Sequence, residues 1–231
     1  MTSPAIPRPI APHANFDGLA RHYRSMEFLT FGPILGRCRA AFLPDLKTAR
    51  RALILGDGDG RFTAQLLRVN RRVQVDAVDA SAAMLDALTD RAGAHSGRVR
   101  AHHADARNWI PEAGPYDLVV SHFFLDCLAT DEVRTLAAKI RRFVPPAAAW
   151  VVSEFAIPRN GFGRFVAAPI VRLLYLAFGL LTGLRVRSLP DHRVALGEAG
   201  FTLEKCHVLL CGLLVSELWR SPGDPLSVRP R

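Results

Sequence analysis

A short apolar run that ends in alternating glycines constrains the fold of this chain most strongly. Residues 51–55 read Arg-Ala-Leu-Ile-Leu, and residues 56–60 read Gly-Asp-Gly-Asp-Gly. The run suits a strand buried on both faces, and the glycines allow a tight turn that a ligand can approach closely. Helical spacing begins at Phe62. We predict a strand, a ligand-binding turn and a helix, with a turn that binds nothing as the alternative.

Strand and helix patterns alternate along the chain. Further strand patterns occupy residues 74–80, 99–105, 116–124 and 149–157, helical patterns occupy 81–91 and 131–143, and a hairpin pattern around Gly212 joins 201–210 to 213–219. This alternation predicts an α/β fold in which a doubly wound, mostly parallel sheet is covered by helices and ends in an antiparallel edge.

The composition narrows the class of protein. The 231 residues carry a formal net charge of +9, but 27 of the 30 basic residues are arginines spread along the chain. An even spread disfavours nucleic acid as a partner. The four cysteines show no ligand spacing, and His102 and His103 alternate in direction along a strand, so we predict no metal site. The same cysteine usage predicts a reducing, cytoplasmic location.

Both ends of the chain are rich in proline, and we expect residues 1–13 and 221–231 to be disordered tails. Residues 14–220 are expected to form one domain. Residues 1–12 lack the apolar core of a signal peptide, which agrees with a cytoplasmic location.

The charges of the glycine loop favour a cationic ligand. A dinucleotide fingerprint reads GxGxxG, but Arg61 replaces its last glycine. Asp57 and Asp59 would repel a pyrophosphate, whereas an ammonium or a sulfonium would be attracted.

Two more carboxylates follow predicted strands. Asp79 ends the second strand and could accept hydrogen bonds from two ribose hydroxyls, or merely cap the helix that starts near Ser81. Asp105 ends the third strand, where it could receive an adenine amino group. Because open α/β sheets bind ligands at the carboxyl ends of their strands, these acids and the loop predict one site.

Four segments resemble the class I S-adenosylmethionine-dependent methyltransferases in order and spacing: LILGDGDGRF, VDAVDASAAML, HHADARNW and YDLVVSHFFLDCL. The resemblance covers residues 15–220. It implies a seven-stranded, Rossmann-like sheet with an antiparallel last strand, and S-adenosyl-L-methionine as cofactor. The residues that it places around the cofactor are Gly56, Asp57 and Gly58 at the methionine end, Asp79 and Ala80 at the ribose, Asp105 and Ala106 at the adenine, and Ser121.

Two features of the resemblance concern the cofactor's amino acid end. Members usually carry an acid two positions before the first glycine, where this chain has Ile54. We hypothesise that Asp57 supplies the missing negative charge. Residues 14–48 resemble a helical lid, in which Tyr23 would lie near the cofactor carboxylate, and a helix packed only for stability is the alternative.

Methyl transfer requires alignment of the nucleophile, and it requires a base only if the acceptor must lose a proton. The candidate catalytic residues are His122 and Asp126 after the fourth strand and Glu154 near the end of the fifth. His122 could instead be structural.

Residues 165–184 are almost wholly apolar but include Pro169, Arg172, Gly179 and Gly183, which argues against a membrane span. In the family, an insertion after the fifth strand often builds the acceptor site. We therefore expect residues 158–196 to form a helical cover over a small, apolar or lipid-like acceptor, with an ordinary buried helical pair as the alternative. The nearby arginines also allow reversible contact with the inner face of a membrane.

The sequence thus predicts an S-adenosylmethionine-dependent methyltransferase that acts on a small molecule at O, C or N. A catalytically idle cofactor-binding protein is one alternative. An RNA or protein methyltransferase is another, although residues 121–124, Ser-His-Phe-Phe, lack the Asn/Asp-Pro-Pro-Tyr/Phe signature of enzymes that methylate amino groups of nucleic acids. The oligomeric state is not predicted.

Overall fold

The computed structural model describes residues 32–112, 114–158, 161, 165–166, 168–171, 173 and 189–223. Its main elements, in chain order, are α1 Gly32–Ala40, β1 Arg51–Leu55, α2 Arg61–Val69, β2 Gln74–Asp79, α3 Ala82–Ala92, β3 Val99–His103, β4 Leu118–His122, α4 Thr130–Arg141, β5 Ala149–Phe155, α5 His192–Glu198, β6 Thr202–Leu209 and β7 Leu214–Arg220. A short 3-10 turn, Leu125–Cys127, follows β4.

The strands form one seven-stranded sheet in the order β3-β2-β1-β4-β5-β7-β6. Strands β1 to β5 pair in parallel, and β7 is antiparallel to both β5 and β6. This confirms the predicted fold class. The chain order reverses between β1 and β4, which pair from Ala52↔Leu118 to Leu55↔Ser121. Ligands of open α/β sheets bind where neighbouring strands diverge in this way.

Helices cover both faces of the sheet because alternate strand residues point to opposite sides. On one face, Ile54 and Val120 pack against α2 and α3 through Phe62 and Leu88. On the other face, the cluster around α4 and α5 includes Leu53, Val119, Val133, Trp150 and Leu196. Burial of each such side chain contributes about 1.5–3 kcal/mol. The two apolar layers hold the carboxyl ends of β1, β2, β4 and β5 at one edge.

Local signals in the sequence agree with several helix and turn boundaries. The Ser81 hydroxyl accepts a hydrogen bond from the Met84 N–H at 3.3 Å, so Ser81 is the predicted N-cap of α3. Helix α4 ends before Pro145 and Pro146, which lack the N–H that a helix needs. Gly212 has φ +97° in the turn between β6 and β7.

Most strands are shorter than predicted, and the differences at β3 and β4 concern named side chains. Strand β3 ends at His103, so Asp105 lies in the following loop, where its carboxylate accepts a hydrogen bond from the Arg107 N–H at 2.9 Å. Strand β4 begins at Leu118, because the Tyr116 side chain leaves the strand pattern and donates its hydroxyl to the buried Asp76 at 2.9 Å.

Some predictions lie outside the described residues: the tail at 1–13, Tyr23, residues 224–231 of the second tail and most of the segment 158–188. Of the lid predicted at 14–48, α1 is described, and its Leu35 and Cys38 pack against Leu214 of β7. Among the described residues, no helix is long and apolar enough to cross a membrane.

Candidate active site

The glycine loop connects β1 to α2, and its three glycines have positive φ angles of +63° at Gly56, +57° at Gly58 and +76° at Gly60. A Cβ on Gly56 would lie 2.5 Å from Cδ2 of Phe124, and a Cβ on Gly60 would lie 2.7 Å from the Leu88 Cα. At Gly58 the nearest atom would be Sδ of Met84, 3.9 Å away. The first and third glycines therefore permit close packing, whereas the backbone of Gly58 is open to a ligand.

Asp57 caps the helix that follows the loop. Its Oδ2 accepts hydrogen bonds from the N–H and the Oγ1–H of Thr63, at 2.8 and 2.6 Å. Burial raises the pKa of Asp57, these hydrogen bonds and the positive charge of Arg39 oppose the rise, and the negative charge of Asp59 adds to it. The carboxylate thus has a local structural role in addition to the predicted role toward the cofactor.

Asp79 ends β2 beside the glycine loop. Its Oδ1 accepts the Ser81 N–H at 2.9 Å, a bond to the backbone of the residue whose own side chain caps α3. The pKa of Asp79 is raised to about 6. Burial is the largest cause, the N–H groups of Ser81 and Gly58 oppose the rise, and the charge of Asp57 adds to it. The carboxylate is therefore close to the loop. Hydrogen-bond donors or a positive charge of a ligand would stabilise its ionised form.

Asp105 is bound by its own neighbour on the loop after β3. Arg107 donates from Nε and Nη2 to Oδ2 of Asp105 at 2.9 and 2.7 Å, and its Nη1 donates to Glu132 at 2.7 Å. Lys139 holds the same loop by donating to the carbonyl oxygens of Ala106 and Trp109 at 2.7 and 2.9 Å. An adenine amino group would share the Asp105 carboxylate with Arg107.

Three other residues predicted or discussed for the cofactor site occupy different environments. The Ser121 hydroxyl is fully buried and accepts the Trp150 indole N–H at 3.0 Å, so only its backbone is placed to contact a cofactor. Ala80 is exposed at the end of β2. Ile54 is 1% exposed in the core under α2, which removes it from the site altogether.

Glu154 and Asp126 are brought together by the turn 125–127. Oε1 of Glu154 accepts the N–H groups of Phe124 and Leu125, at 3.3 and 2.9 Å. Burial raises the pKa of Glu154 well above its usual value, and the charge of Asp126 adds to this rise. Burial also raises the pKa of Asp126 to about 6, against the hydrogen bond from the Cys127 thiol. The negative charge of Asp126 is thus close enough to Glu154 to affect its pKa.

His122, the third catalytic candidate, lies on the other face of the sheet. Its Nδ1 forms a 2.8 Å hydrogen bond with the Ser153 hydroxyl, and its ring meets Phe62 of α2 edge to face at 4.5 Å. Glu154 alternates with Ser153 along β5 and so points to the opposite side. Burial lowers the pKa of His122 well below its usual value, and the charge of Arg39 lowers it further. This position favours the structural alternative for His122.

The structure adds His192 and Glu217, which the sequence analysis missed. Glu217 of β7 is fully buried and accepts hydrogen bonds from His192 Nε2 at 3.0 Å, Arg193 Nε at 2.6 Å and Trp219 Nε1 at 2.9 Å. The charge of His192 in turn lowers the pKa of Asp126. An isolated acid in the apolar run 213–219 was the available signal, because a buried carboxylate needs partners.

The electrostatics of this edge suit a cation. Burial is the largest cause of the raised pKa values of Asp79, Glu154 and the Cys127 thiol, and neighbouring acids add to it: Asp57 at Asp79, Asp126 at Glu154, and Asp126 and Asp79 at Cys127. Each of these shifts records a negative charge close to another acidic group. The residues present therefore fit S-adenosylmethionine, which carries an ammonium and a sulfonium, better than they fit a pyrophosphate. Among the described residues, no group of three metal-ligating side chains occurs.

Comparison with known proteins identifies the central segment. Residues 52–147 match the family described as a methyltransferase domain. This segment contains the glycine loop, Asp79, Asp105 and the turn 125–127. No curated protein matches the chain.

Solved structures share the whole sheet. An O-methyltransferase family protein from Burkholderia thailandensis is 19% identical, with a TM-score of 0.61 over 84% of this chain and 59% of that protein. The mitomycin 7-O-methyltransferase is 16% identical, with a TM-score of 0.68 over 89% and 60%. The calicheamicin-biosynthesis methyltransferase CalO1, in an S-adenosylhomocysteine-bound form, is 20% identical, with a TM-score of 0.64 over 90% and 60%. This chain spans about three fifths of the length of these proteins, and at such identities the likeness shows the fold.

Proposed function

We propose that this chain, whose residues 52–147 match a methyltransferase-domain family and whose fold is shared with solved methyltransferases, is a class I S-adenosylmethionine-dependent methyltransferase that transfers the methyl group of S-adenosyl-L-methionine to a small, apolar or lipid-like acceptor. The bound cofactor would supply a methyl carbon activated by the sulfonium. The residues of the chain would bind the cofactor, align the acceptor and accept its proton.

One observation carries the proposal: the open backbone of Gly58 lies beside the Asp79 carboxylate. The Gly58 N–H is close enough to lower the pKa of Asp79, and a Cβ on Gly58 would meet nothing closer than 3.9 Å. A carboxylate at the tip of β2 can bind ribose hydroxyls while the loop admits the rest of the cofactor. The negative charge of Asp57 in the same loop disfavours a pyrophosphate.

The acid pair at the ends of β4 and β5 supports a catalytic role. Asp126 and Glu154 lie at the carboxyl edge of the sheet, as does Asp79, and the pKa of Asp126 is about 6. A carboxylate with this pKa is ionised at neutral pH and can take a proton from an acceptor hydroxyl. We assign this role to Asp126.

The apolar character of the acceptor is inferred from the segment 158–196. Among its described residues, Phe165 and Leu173 are 72% and 66% exposed. Exposed large apolar side chains are typical of surfaces that receive apolar ligands. Reversible membrane contact through the same segment is a related proposal. Flotation of the protein with anionic liposomes at low salt would support it, and failure to float would contradict it.

Calorimetric titration tests the cofactor assignment. We expect S-adenosylmethionine and S-adenosylhomocysteine to bind the wild-type protein and NAD not to bind. Asp79→Ala should weaken the binding of S-adenosylmethionine and of S-adenosylhomocysteine by at least about tenfold, because two hydrogen bonds to a carboxylate are lost. The matched control is Asp86→Ala, which removes an exposed acid from α3. Equal affinity in wild type and Asp79→Ala, or binding of NAD alone, would contradict the proposal.

A further inference from the structure

Glu154 has one oxygen that is satisfied and one that is not. The side chain is 1% exposed, and its Oε1 accepts both N–H groups at the start of the turn 125–127. Its Oε2 is buried and has no hydrogen-bond partner among the described residues. A buried polar atom without a partner costs about 1–3 kcal/mol, which a ligand could offset.

The groups that face Glu154 determine where its proton lies. Burial is the largest cause of the raised pKa of Glu154, the negative charge of Asp126 adds to it, and the N–H groups of Phe124 and Leu125 oppose the rise. Because Oε1 already accepts both N–H groups, a proton on Glu154 belongs on Oε2. A protonated Oε2 is a donor at the edge of the sheet where Asp126 is an acceptor.

We propose that Glu154 serves methyl transfer as an uncharged hydrogen-bond donor, through Oε2–H, to one oxygen of the acceptor, while Asp126 takes the proton of a neighbouring hydroxyl. The proposal rests on the function proposed above. The hydroxyl proton passes to the Asp126 carboxylate, and the hydroxyl oxygen forms a bond to the methyl carbon. The carbon–sulfur bond breaks, and its electron pair goes to sulfur.

This arrangement narrows the acceptor. An ammonium group cannot accept the Oε2–H, and a hydroxyl that accepted it on its own reacting oxygen would become a weaker nucleophile. The site therefore selects a hydroxyl compound that carries a second oxygen beside the hydroxyl. Among apolar compounds, 2-methoxyphenol has this pattern, and phenol lacks the second oxygen.

The ionisation state of Glu154 can be tested without an acceptor. In Glu154→Gln the amide oxygen can still accept the N–H groups of Phe124 and Leu125, and the amide nitrogen can still donate. A folded state that keeps a proton which the unfolded state loses is destabilised as pH rises above the unfolded pKa of 4.5. We therefore expect the unfolding constant of the wild type, relative to Glu154→Gln, to rise about tenfold per pH unit above that value.

Denaturant unfolding between pH 5 and pH 7 measures this ratio, with the exposed-acid variant Asp86→Asn as the matched control. The proposal is supported if the unfolding constant of the wild type rises about a hundredfold relative to that of Glu154→Gln over this range, and does not rise relative to that of Asp86→Asn. A ratio that does not change with pH shows an ionised Glu154 in the folded state and overturns it.

Transfer of a radiolabelled methyl group to 2-methoxyphenol tests the donor role. We expect Glu154→Gln, which keeps a donor, to retain at least about tenfold more transfer than Glu154→Met, which has similar volume and no donor. Asp126→Asn should lose about a hundredfold. Equal transfer by the Gln and Met variants, or equal transfer to phenol and 2-methoxyphenol, overturns the donor role. A wild type that binds S-adenosylmethionine without methylating 2-methoxyphenol overturns the assigned acceptor, whereas failure to bind S-adenosylmethionine contradicts the proposed function itself.

Discussion

Oδ2 of Asp57 accepts both the N–H and the hydroxyl of Thr63, so the first acid of the glycine loop is also the cap of α2. These two hydrogen bonds from Thr63 orient the carboxylate at the start of the helix, where a negative charge is favourable. Ile54 is buried in the core, and our hypothesis is that Asp57 supplies the negative charge toward a cofactor's ammonium.

Asp57→Asn separates the charge from the cap. Asparagine can still accept the Thr63 N–H, so we expect stability to change little, whereas Asp57→Ala should cost about 1 kcal/mol through loss of the cap. Loss of the charge should weaken the binding of S-adenosylmethionine and of S-adenosylhomocysteine to a similar extent, by about fivefold, because both compounds carry the ammonium. Calorimetry with Asp59→Asn as the control checks this, since Asp59 is already paired with Arg91 at 2.8 Å. Unchanged affinity in Asp57→Asn would remove Asp57 from the cofactor site.

The three glycine positions should differ in their response to alanine. Gly60→Ala places a Cβ 2.7 Å from the Leu88 Cα, where neither helix can move freely. We therefore expect the free energy of unfolding to fall by well over the roughly 1–2 kcal/mol caused by positive φ alone. Gly58→Ala should cost only that strain. In α1, Gly36→Ala meets nothing within 4 Å and should stabilise the helix by up to about 1 kcal/mol. Denaturant unfolding of the three variants gives the order, and a Gly58→Ala loss equal to that of Gly60→Ala would contradict the packing argument.

His122 should make the protein sensitive to mild acid. Burial keeps its pKa well below 6.5 in the folded state, whereas the unfolded state binds a proton below 6.5. Stability is therefore fully present above pH 6.5 and falls by about 1.4 kcal/mol per pH unit below it, until the folded pKa is reached. His122→Gln should lose about 1 kcal/mol at pH 7, because its bond to Ser153 is disturbed, yet show a shallower decline between pH 6.5 and 5.

Unfolding curves at several pH values test this, with the exposed His95→Gln as the control. An equally steep decline in His122→Gln and wild type would show that His122 is protonated in the folded protein.

The patterns that predicted the fold are local. The apolar run 51–55, the glycines that follow it and the Ser81 cap each depend on a few consecutive residues, and the structure shows the expected strand, turn and helix start. The side-chain roles were harder to predict. Asp105 binds Arg107, and Ser121 binds Trp150, because the nearest donor in space decides where an acid or hydroxyl points.

The separation of the catalytic candidates shows the same limit. His122, Asp126 and Glu154 were all predicted near the carboxyl ends of strands, but His122 lies against α2 and Ser153, whereas Glu154 binds the turn that carries Asp126. Register and strand order decide which face a residue occupies, and a shift of one residue reverses the face.

The sequence by itself determined the order of strands and helices, the glycine turn and the acids at the ends of the strands, because periodicity and backbone preferences act over a few residues. Only the tertiary structure decided which acids meet. Asp126 and Glu154 are 28 positions apart in the chain, and Glu217 reaches His192 across 25. Such pairs form when packing brings distant strands together, and burial then shifts the pKa of each acid in a way that no local pattern records.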